Sequence, residues 1–334
     1  MARLDGTAPQ SVARAARRLA DGELVAFPTE TVYGLGARAD DDAAVAKIFH
    51  AKGRPADHPL IVHVTDMQAA AAFCDALPPL AERLMTAFWP GPLTLIVARR
   101  GGVAAAAAGG HATIGLRAPA HPLAQALLAE AVALGVPGVA APSANRYGRI
   151  SPTRAAHVQD DFAEVLADLC VLDGGDCAVG IESTIVDCSR GRAVLLRPGV
   201  LTREQLEAAA GEPLHEADAA APRASGTLAS HYAPRATLRL MSSAALRSAL
   251  EVLPVEALPA AGPRRLAVYS RSTPPPPRMA GRRMPANAAA AAQELFAVLR
   301  AFDDEGVQLV WVEEPPPDPA WDGVRDRLRR AATR

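Results

Sequence analysis

Long apolar runs, paired cysteines and a strong net charge are all missing from this sequence of 334 residues. No stretch of about 18 consecutive apolar residues occurs, which argues against a membrane span, and the N-terminus lacks the apolar segment of a secretory signal. The four cysteines form no C-x-x-C pair and are too few for a disulfide scaffold in a chain of this length. The sequence therefore predicts a cytoplasmic protein without a structural zinc site.

The charge balance and the shortage of aromatic side chains argue against a nucleic-acid-binding module. The formal net charge is −1 and aromatic residues make up 4% of the chain, so a strong positive field is absent and stacking platforms are few. One basic segment ends the chain, and we interpret it as the solvated face of a terminal helix. Its arginines are Arg325, Arg327, Arg329, Arg330 and Arg334. Direct tRNA binding is left open.

Lysine is almost absent, because only Lys47 and Lys52 of the 35 basic residues are lysine and the rest are arginine. Two lysines in one short segment indicate a position that needs a compact ammonium group, with chance as the alternative. Common nucleotide motifs are also missing. G-x-x-x-x-G-K-[ST] and G-x-G-x-x-G do not occur, so a bound nucleotide requires another device.

The order of sequence patterns predicts two α/β domains joined by a linker. Residues 1–210 alternate short apolar strands with amphipathic helices, among them a helix at Pro9–Ala20 and a strand at Leu93–Ala98. Residues 211–235 are rich in Ala, Pro, Ser and Gly and predict a linker or an extended loop. Residues 236–334 return to strand and helix patterns and predict a smaller domain.

Four polar clusters accompany these predicted elements. The glycines of Pro28–Gly36, the first cluster, allow close backbone approach to a ligand. The cations of Lys52–His63, the second, suit phosphate oxygens, and the arginine of Thr113–Arg117, the third, suits a carboxylate. The hydroxyl and amide groups of the fourth suit the edge of an α/β sheet. Ordinary turns, caps and helix ends explain the first, second and fourth better when each is taken alone, and the third is evenly balanced. The clusters are Pro28–Gly36, Lys52–His63, Thr113–Arg117, and Ala141–Asn145 with Ser151–Thr153.

Together the clusters resemble the YrdC-like family in its long two-domain form, whose members are threonylcarbamoyl-AMP synthases. The matching motifs are K-x-R at Lys52 joined with S-x-N at Ser143, P-T-E-T-V-Y-G-L-G from Pro28, L-I-V-H from Leu60, and L-R-P-G from Leu196. The resemblance implies a YrdC-like twisted mixed α/β domain, followed by a linker and a smaller Rossmann-like α/β domain.

The resemblance also implies a nucleotidyltransferase reaction in tRNA modification. L-threonine, bicarbonate or CO2, and ATP would give L-threonylcarbamoyladenylate and pyrophosphate, and a tRNA threonylcarbamoyl transferase would receive the product. Mg²⁺ is expected on the triphosphate rather than in a protein cage, so no metal ligands are assigned. No general base for the threonine ammonium is evident in the sequence.

Site residues follow from the family pattern. The catalytic signature is Lys52, Arg54, Ser143 and Asn145. Threonine is expected at Thr31, His63, Arg117 and Ser183, with Arg117 on its carboxylate. ATP is expected at Arg54, His58, Thr113, Ser143, Ser151, Arg197 and Tyr232. Glu30 and Tyr33 receive no role. Two departures stand out, because His58 replaces a more usual asparagine and residues 224–230 lack the lysine common in such linkers.

Two other functions compete with this interpretation. Hydrogenase-maturation proteins, which use carbamoyl phosphate, contain a related domain, but they carry zinc-binding and acylphosphatase modules for which this chain has neither the cysteines nor the length. An RNA-binding module is the non-enzymatic alternative, and the charge balance and few aromatics argue against it.

Overall fold

The computed structural model describes residues 1–253, 265–276 and 279–333, so Arg334 of the basic segment lies outside the described residues. The chain divides into two compact units. One contains residues 1–147 and 151–227, and the other contains residues 148–150 and 228–334. The division after residue 227 falls inside the segment 211–235 that the sequence predicts to be a linker.

The first unit is built on a mixed eleven-stranded sheet in the order β1-β8-β2-β3-β7-β4-β6-β5-β9-β10-β11. Neighbouring strands in it run both parallel, as β4 and β6 do, and antiparallel, as β5 and β6 do. Its strands are β1 Ala2–Asp5, β2 Val25–Phe27, β3 Gly34–Arg38, β4 Ile61–His63, β5 Leu93–Ala98, β6 Thr113–Arg117, β7 Val139–Ala140, β8 Cys170–Asp173, β9 Thr184–Asp187, β10 Val194–Arg197 and β11 His215–Glu216.

Helices pack on both faces of this sheet, as the alternation along β2 shows. Val25 and Phe27 lie in a core cluster with α1 and α5, whereas Ala26 between them belongs to the larger cluster with α2, α4 and α6. The helices are α1 Pro9–Ala20, α2 Asp42–Lys52, α3 Met67–Ala70, α4 Pro79–Phe88, α5 Pro122–Ala133, α6 Ala155–Phe162 and α7 Arg203–Ala210.

Local sequence signals determine where α2 begins and ends. The Asp41 side chain caps its first turn by accepting hydrogen bonds from the Ala43 and Ala44 backbone amides. Gly53 ends the helix in the left-handed conformation with φ of 64°, which a residue with a side chain adopts at a cost. Lys52 and Arg54 therefore stand on either side of a sharp turn.

The second unit has a four-stranded parallel sheet in the order β12-β15-β13-β14. Glu313 ends β15 and is buried, and it accepts hydrogen bonds from the Ser243 and Ser270 hydroxyls at 2.7 and 2.6 Å. Burial raises the pKa of Glu313, but these and neighbouring hydrogen bonds outweigh burial and lower the pKa to about 2. The elements are β12 Thr237–Met241, α8 Ser243–Val252, β13 Leu266–Ser270, β14 Ala280–Arg283, α9 Ala288–Asp304, β15 Leu309–Glu313 and α10 Asp322–Ala332.

The basic face predicted for the terminal helix is largely neutralised within α10. Arg330 pairs with Asp326 at 2.9 Å, and Arg325 pairs with Asp322. Arg327 is buried, so it is not part of a solvated face as the sequence analysis expected. No helix in the described part of the chain combines the length and the hydropathy needed to span a bilayer.

The predicted fold class is confirmed, since a large mixed α/β sheet is followed by a smaller parallel one. The predicted bounds of Pro9–Ala20 and Leu93–Ala98 agree with the structure. The interpretation of Pro28–Gly36 as one polar turn is wrong in its second half, because Gly34 and Gly36 open β3. At Gly36 an added Cβ would meet Phe27 and Val139 at 2.8 Å, so this glycine permits close packing within the sheet.

Candidate active site

An apolar floor lies on one face of the first unit's sheet, beyond the area that α1 and α5 cover. Ile61, Ile96 and Ile185 form it, from β4, β5 and β9. Gly115 stands between Ile61 and Ile96 in the register of β4, β6 and β5. An added Cβ at Gly115 would lie 3.2 Å from Ile96 Cδ1 and 3.6 Å from Ile61 Cγ1, so the missing side chain lets the isoleucines of the neighbouring strands close over β6.

The two ends of this floor carry different polar groups. Thr113, Gly115 and Arg117 alternate along β6 and share one face, and four residues of strand span about 13 Å. At one end, Arg117 lies opposite His63 of the parallel strand β4. At the other end, Thr113 begins β6, and the Pro59 carbonyl, two residues before β4, accepts a hydrogen bond from Arg54 Nη2 at 3.0 Å.

Arg117 is held by three groups in a water-poor environment, with 3% of its surface exposed. Its Nη1 donates to Thr31 Oγ1 at 2.8 Å, and its Nε donates to the Gly91 carbonyl at 3.3 Å. Its Nη2 forms an ion pair with Glu30 Oε1 at 2.7 Å. Nη2 is buried and makes no hydrogen bond of good geometry with a described residue, and a planar guanidinium with N–H groups to spare suits a carboxylate ligand.

The loop that supplies Glu30 and Thr31 is fixed by its own hydroxyls. Thr29 Oγ1 lies 2.8 Å from Thr31 Oγ1 and donates to the Val32 carbonyl at 2.7 Å. Tyr33, for which the sequence analysis has no role, donates its hydroxyl to the Gly175 carbonyl at 2.8 Å. These contacts tie the loop to the turn after β8 and set the position of Thr31.

His63 is neutral in this site. Burial, and then the positive charge of Arg117, lower its pKa to about 3. The ring packs edge-on against Phe27 at a centroid distance of 6.0 Å. Its Nδ1 is buried and makes no hydrogen bond of good geometry with a described residue, although interaction with the Val139 and Ile61 backbone opposes part of the fall in pKa.

The two halves of the K-x-R and S-x-N signature meet through Lys52. The Lys52 Nζ donates to the Ser143 carbonyl at 2.7 Å and to the Asn145 carbonyl, and the residue is 2% exposed. Burial, and then Arg54, hold the Lys52 pKa well below its usual range. The signature pairing therefore uses the backbone carbonyls of Ser143 and Asn145 rather than their side chains.

His58 takes part in an aromatic contact beside Arg54. Its Nδ1 lies 2.9 Å from the Tyr147 hydroxyl, and Arg54 lies over the Tyr147 ring at 5.7 Å. Burial and the nearby Arg54 lower the His58 pKa. The replacement of asparagine by histidine at this position is thus accompanied by a tyrosine that hydrogen-bonds it.

Arg197 connects the strand β10 with residues on both sides of the floor. Its Nη2 donates to the Ser183 carbonyl at 2.9 Å, and its Nη1 donates to the Ser225 carbonyl at 2.8 Å. The Ser183 hydroxyl lies 2.8 Å from Thr94 Oγ1. Arg54 Nη2 lies 3.5 Å from Ser225 Oγ. One serine of the predicted linker therefore contacts both arginines expected to bind ATP.

The segment up to residue 227 covers the floor. Ala224 packs on the isoleucine cluster, next to the Ser225 contacts with Arg54 and Arg197. Arg223 pairs with Asp57 at 2.7 Å, although both side chains are largely exposed, so this pair adds little to stability. The covering segment is thus held mainly by the apolar contact and by the two buried arginines.

The remaining expected ATP residues lie in different places. Ser151 is fully buried and donates its hydroxyl to Glu182. Tyr232 belongs to the second unit, where its ring stacks on Phe296 at 5.4 Å and Arg327 lies 5.5 Å from its centroid. The structure thus brings all the predicted site residues except Tyr232 into the first unit.

Sequence reasoning missed three polar residues of this site. Glu30 was left without a role, and it proves to be the ionic partner of Arg117. Thr94 is the one polar residue in the apolar strand Leu93–Ala98, and that signal could have identified it. Ser225 stands in a linker of low complexity, and no feature of the sequence distinguishes it from Ser230.

Two family models cover most of the chain. The Sua5/YciO/YrdC model, described as telomere recombination, matches residues 17–199. The chain belongs to the Sua5/YciO/YrdC family. The model described as the threonylcarbamoyl-AMP synthase C-terminal domain matches residues 201–333, so this Sua5/YciO/YrdC protein has the two-domain form. The resemblance seen in the sequence motifs is confirmed.

Two Sua5/YciO/YrdC proteins with sequences similar to this chain are named threonylcarbamoyl-AMP synthase. A Bacillus subtilis (strain 168) protein named threonylcarbamoyl-AMP synthase is 38% identical over 336 residues, which cover 96% of this chain and 92% of the relative. A Pyrococcus abyssi protein of the same name is 46% identical over 198 residues, 59% of this chain and 56% of the relative. The crystal structure of P. abyssi Sua5 complexed with L-threonine has a TM-score of 0.85 and 35% identity, covering 97% of this chain and 95% of that one.

Proposed function

We propose that this chain synthesises L-threonylcarbamoyladenylate from L-threonine, bicarbonate or CO2, and ATP, and releases pyrophosphate. The observation that carries the proposal is a pair of buried arginines around one apolar floor. Arg117 ends β6 and donates to Thr31, and Arg54 contacts Ser225, which follows the residue that packs on the floor. The reaction joins a carboxylate-bearing amino acid to a triphosphate, so it requires cations for two anions. Relatives named threonylcarbamoyl-AMP synthase support it.

The threonine end contains Thr31, His63, Arg117 and Ser183. The Arg117 guanidinium binds the amino acid's carboxylate through two N–H groups in a fork. The hydroxyls of Thr31 and Ser183 and the neutral His63 ring exchange hydrogen bonds with the remaining polar atoms of the substrate. The crystal structure of P. abyssi Sua5 in complex with L-threonine supports threonine as the ligand.

The ATP end contains Arg54, His58, Thr113, Ser143, Ser151 and Arg197, with Lys52 beside the phosphates. Arg54 and Arg197 are permanent cations that point toward the same serine, so phosphate oxygens are suitable ligands for them. Tyr147 adds an aromatic surface next to Arg54. A contact of Tyr232 with ATP stays a prediction from the family pattern.

The chemistry is mainly a matter of positioning. The threonine amine, after its ammonium form has lost one proton to water or bicarbonate, adds to CO2 and releases a second proton to the same acceptors, which gives a carbamate. One carbamate oxygen then attacks the α-phosphorus of ATP while pyrophosphate departs in line. The protein accelerates this step by holding both anions close together and by offsetting their charge in a site from which water is excluded. The covering segment at residues 223–227 and the isoleucine floor exclude that water.

Mg²⁺ is proposed to arrive with ATP. Residues 1–253, 265–276 and 279–333 contain no group of three or more His, Cys, Asp or Glu side chains placed to hold a metal ion. When bound, Mg²⁺ supplies charge neutralisation on the triphosphate, whose own oxygens are the hard ligands it prefers.

The product is a reactive mixed anhydride, so a tRNA threonylcarbamoyl transferase is proposed to take it up directly.

A cytoplasmic location is proposed as well. Cys74, Cys170, Cys177 and Cys188 are all buried free thiols, which suits a reducing compartment. ATP and tRNA are also found there.

The test is to incubate the full-length protein with ATP, Mg²⁺ and bicarbonate, with and without L-threonine, and to measure pyrophosphate and the adenylate. Pyrophosphate release that depends on both threonine and bicarbonate is expected. Release that requires carbamoyl phosphate instead would favour the related carbamoyl-transfer chemistry. Tight RNA binding without any threonine-dependent release would favour the RNA-binding alternative.

A further inference from the structure

Glu30 is a buried carboxylate that lacks most of its hydrogen bonds. The residue is 8% exposed, and its Oε1 forms an ion pair with Arg117 Nη2 at 2.7 Å. Neither Oε1 nor Oε2 accepts a hydrogen bond of good geometry from any described residue. An ionised carboxylate offers about four acceptor positions, and leaving them unfilled in a buried site is costly.

Glu30 lies beside the proposed threonine end of the site. Arg117 connects Glu30 with Thr31, since its Nη1 donates to the Thr31 hydroxyl while its Nη2 contacts Glu30. The Glu30 backbone carbonyl accepts a hydrogen bond from Val179 at 2.7 Å, which fixes the residue in place. The carboxylate is thus a rigid acceptor beside the proposed carboxylate-binding arginine.

A free α-amino acid has the complementary groups. Its carboxylate is matched by Arg117, and its ammonium carries three N–H donors and a positive charge. An ammonium next to the threonine carboxylate would fill acceptor positions on Glu30. It would also restore the charge balance that the substrate's carboxylate disturbs when it joins the Glu30–Arg117 pair.

We propose that Glu30 binds the α-amino group of the substrate, so that Glu30 and Arg117 together select an amino acid over the corresponding acid without an amino group. This inference rests on the proposed function and deepens it. After carbamate formation the nitrogen keeps one N–H, so Glu30 remains a partner for it during adenylation.

The test compares two ligands on the full-length protein by isothermal titration calorimetry. L-threonine is compared with 3-hydroxybutyrate, which has the same carbon chain and hydroxyl but no amino group. The wild type is expected to prefer threonine. Glu30→Gln should weaken threonine binding about 10- to 100-fold, because it removes a charged hydrogen-bond acceptor. The same variant should leave 3-hydroxybutyrate binding unchanged or tighter.

Control variants separate this role from a purely structural one. Glu30→Asp keeps the charge and should keep most of the preference for threonine. Glu82→Gln, an exposed carboxylate on α4, should change neither affinity. Equal weakening of both ligands by Glu30→Gln would show that Glu30 only supports Arg117, and unchanged threonine binding would show no role. Either result overturns the proposal.

A variant that does not fold, and a failure of the proposed function itself, can both be told apart from a failure of the Glu30 proposal. If Glu30→Gln does not fold, the wild type decides the matter, because equal affinity for the two ligands overturns the proposal and a strong preference for threonine supports it. Absence of threonine-dependent pyrophosphate release by the wild type rejects the proposed function itself. A wild type that is active, with a Glu30→Gln variant of unchanged ligand preference, rejects only the role of Glu30.

Discussion

Replacing Arg117 by alanine is expected to damage both the fold and threonine binding. The Glu30–Arg117 pair is nearly inaccessible to water, with side-chain exposures of 10% and 4%. Removing one member of such a pair leaves an uncompensated buried charge, which costs about 3–5 kcal/mol in the free energy of unfolding. The substrate's carboxylate also loses its charged partner, which weakens binding by about 1.5–3 kcal/mol.

Paired variants separate these two effects. Arg117→Lys keeps the charge beside Glu30 but loses the planar fork, so it should unfold less readily than Arg117→Ala while still binding threonine weakly. The double variant Glu30→Gln with Arg117→Met removes both charges. It should recover part of the stability lost in Arg117→Ala, since no unpaired charge remains in the interior.

The assay combines urea unfolding with threonine titration at constant ATP. The expected pattern is a large fall in unfolding free energy for Arg117→Ala and a smaller fall for the double variant. The threonine KM should rise about tenfold or more in Arg117→Ala, in Arg117→Lys and in the double variant. A threonine KM that stays at the wild-type value in Arg117→Ala would refute the carboxylate assignment. Equal stability of the single and double variants would refute the argument from the buried pair.

Three further expectations follow from the site. Lys52→Met should lower the free energy of unfolding by about 2–5 kcal/mol and abolish turnover, because the Ser143 and Asn145 carbonyls lose their shared donor. A free energy of unfolding in urea within about 1 kcal/mol of the wild-type value would contradict this. His63 has a folded-state pKa lowered from 6.5 to about 3, so the unfolded chain binds more protons between these values and stability falls as pH falls. His63→Gln should therefore reduce the fall in unfolding free energy with decreasing pH by about 1.4 kcal/mol per pH unit. If urea unfolding at pH 7 and pH 5 gives the same fall for the variant and the wild type, this expectation is wrong. Deleting residues 211–334 should lower kcat for threonine-dependent pyrophosphate release because the covering segment is lost, whereas full activity would make that segment dispensable.

The motifs predicted the two ends of the site better than they predicted its contacts. The K-x-R and S-x-N signature does meet in space, but Lys52 binds the carbonyls of Ser143 and Asn145. Side-chain identity in a motif does not say whether the backbone or the side chain makes the contact. That depends on the path of the chain after β7, which the sheet determines.

Glu30 illustrates a different limit. It is adjacent in sequence to Thr31 and distant from Arg117, and a carboxylate in a polar turn is ordinarily solvated. Only the close approach of the β2–β3 loop to the end of β6 turns it into a buried ion pair. Its significance therefore depends on burial, which a local pattern of polar residues does not reveal.

The sequence by itself determined the class of the protein and the strands and helices that support the site. Alternating apolar segments predicted a mixed α/β domain and a second, smaller α/β domain, because secondary structure follows the local hydrophobic period. The parallel pairing of strands in the second unit came only from the structure. The tertiary structure alone decided which polar groups are paired and how much water reaches them. Those properties depend on strand register and on a covering segment more than a hundred residues away from β4, and they set the charge and specificity of the site.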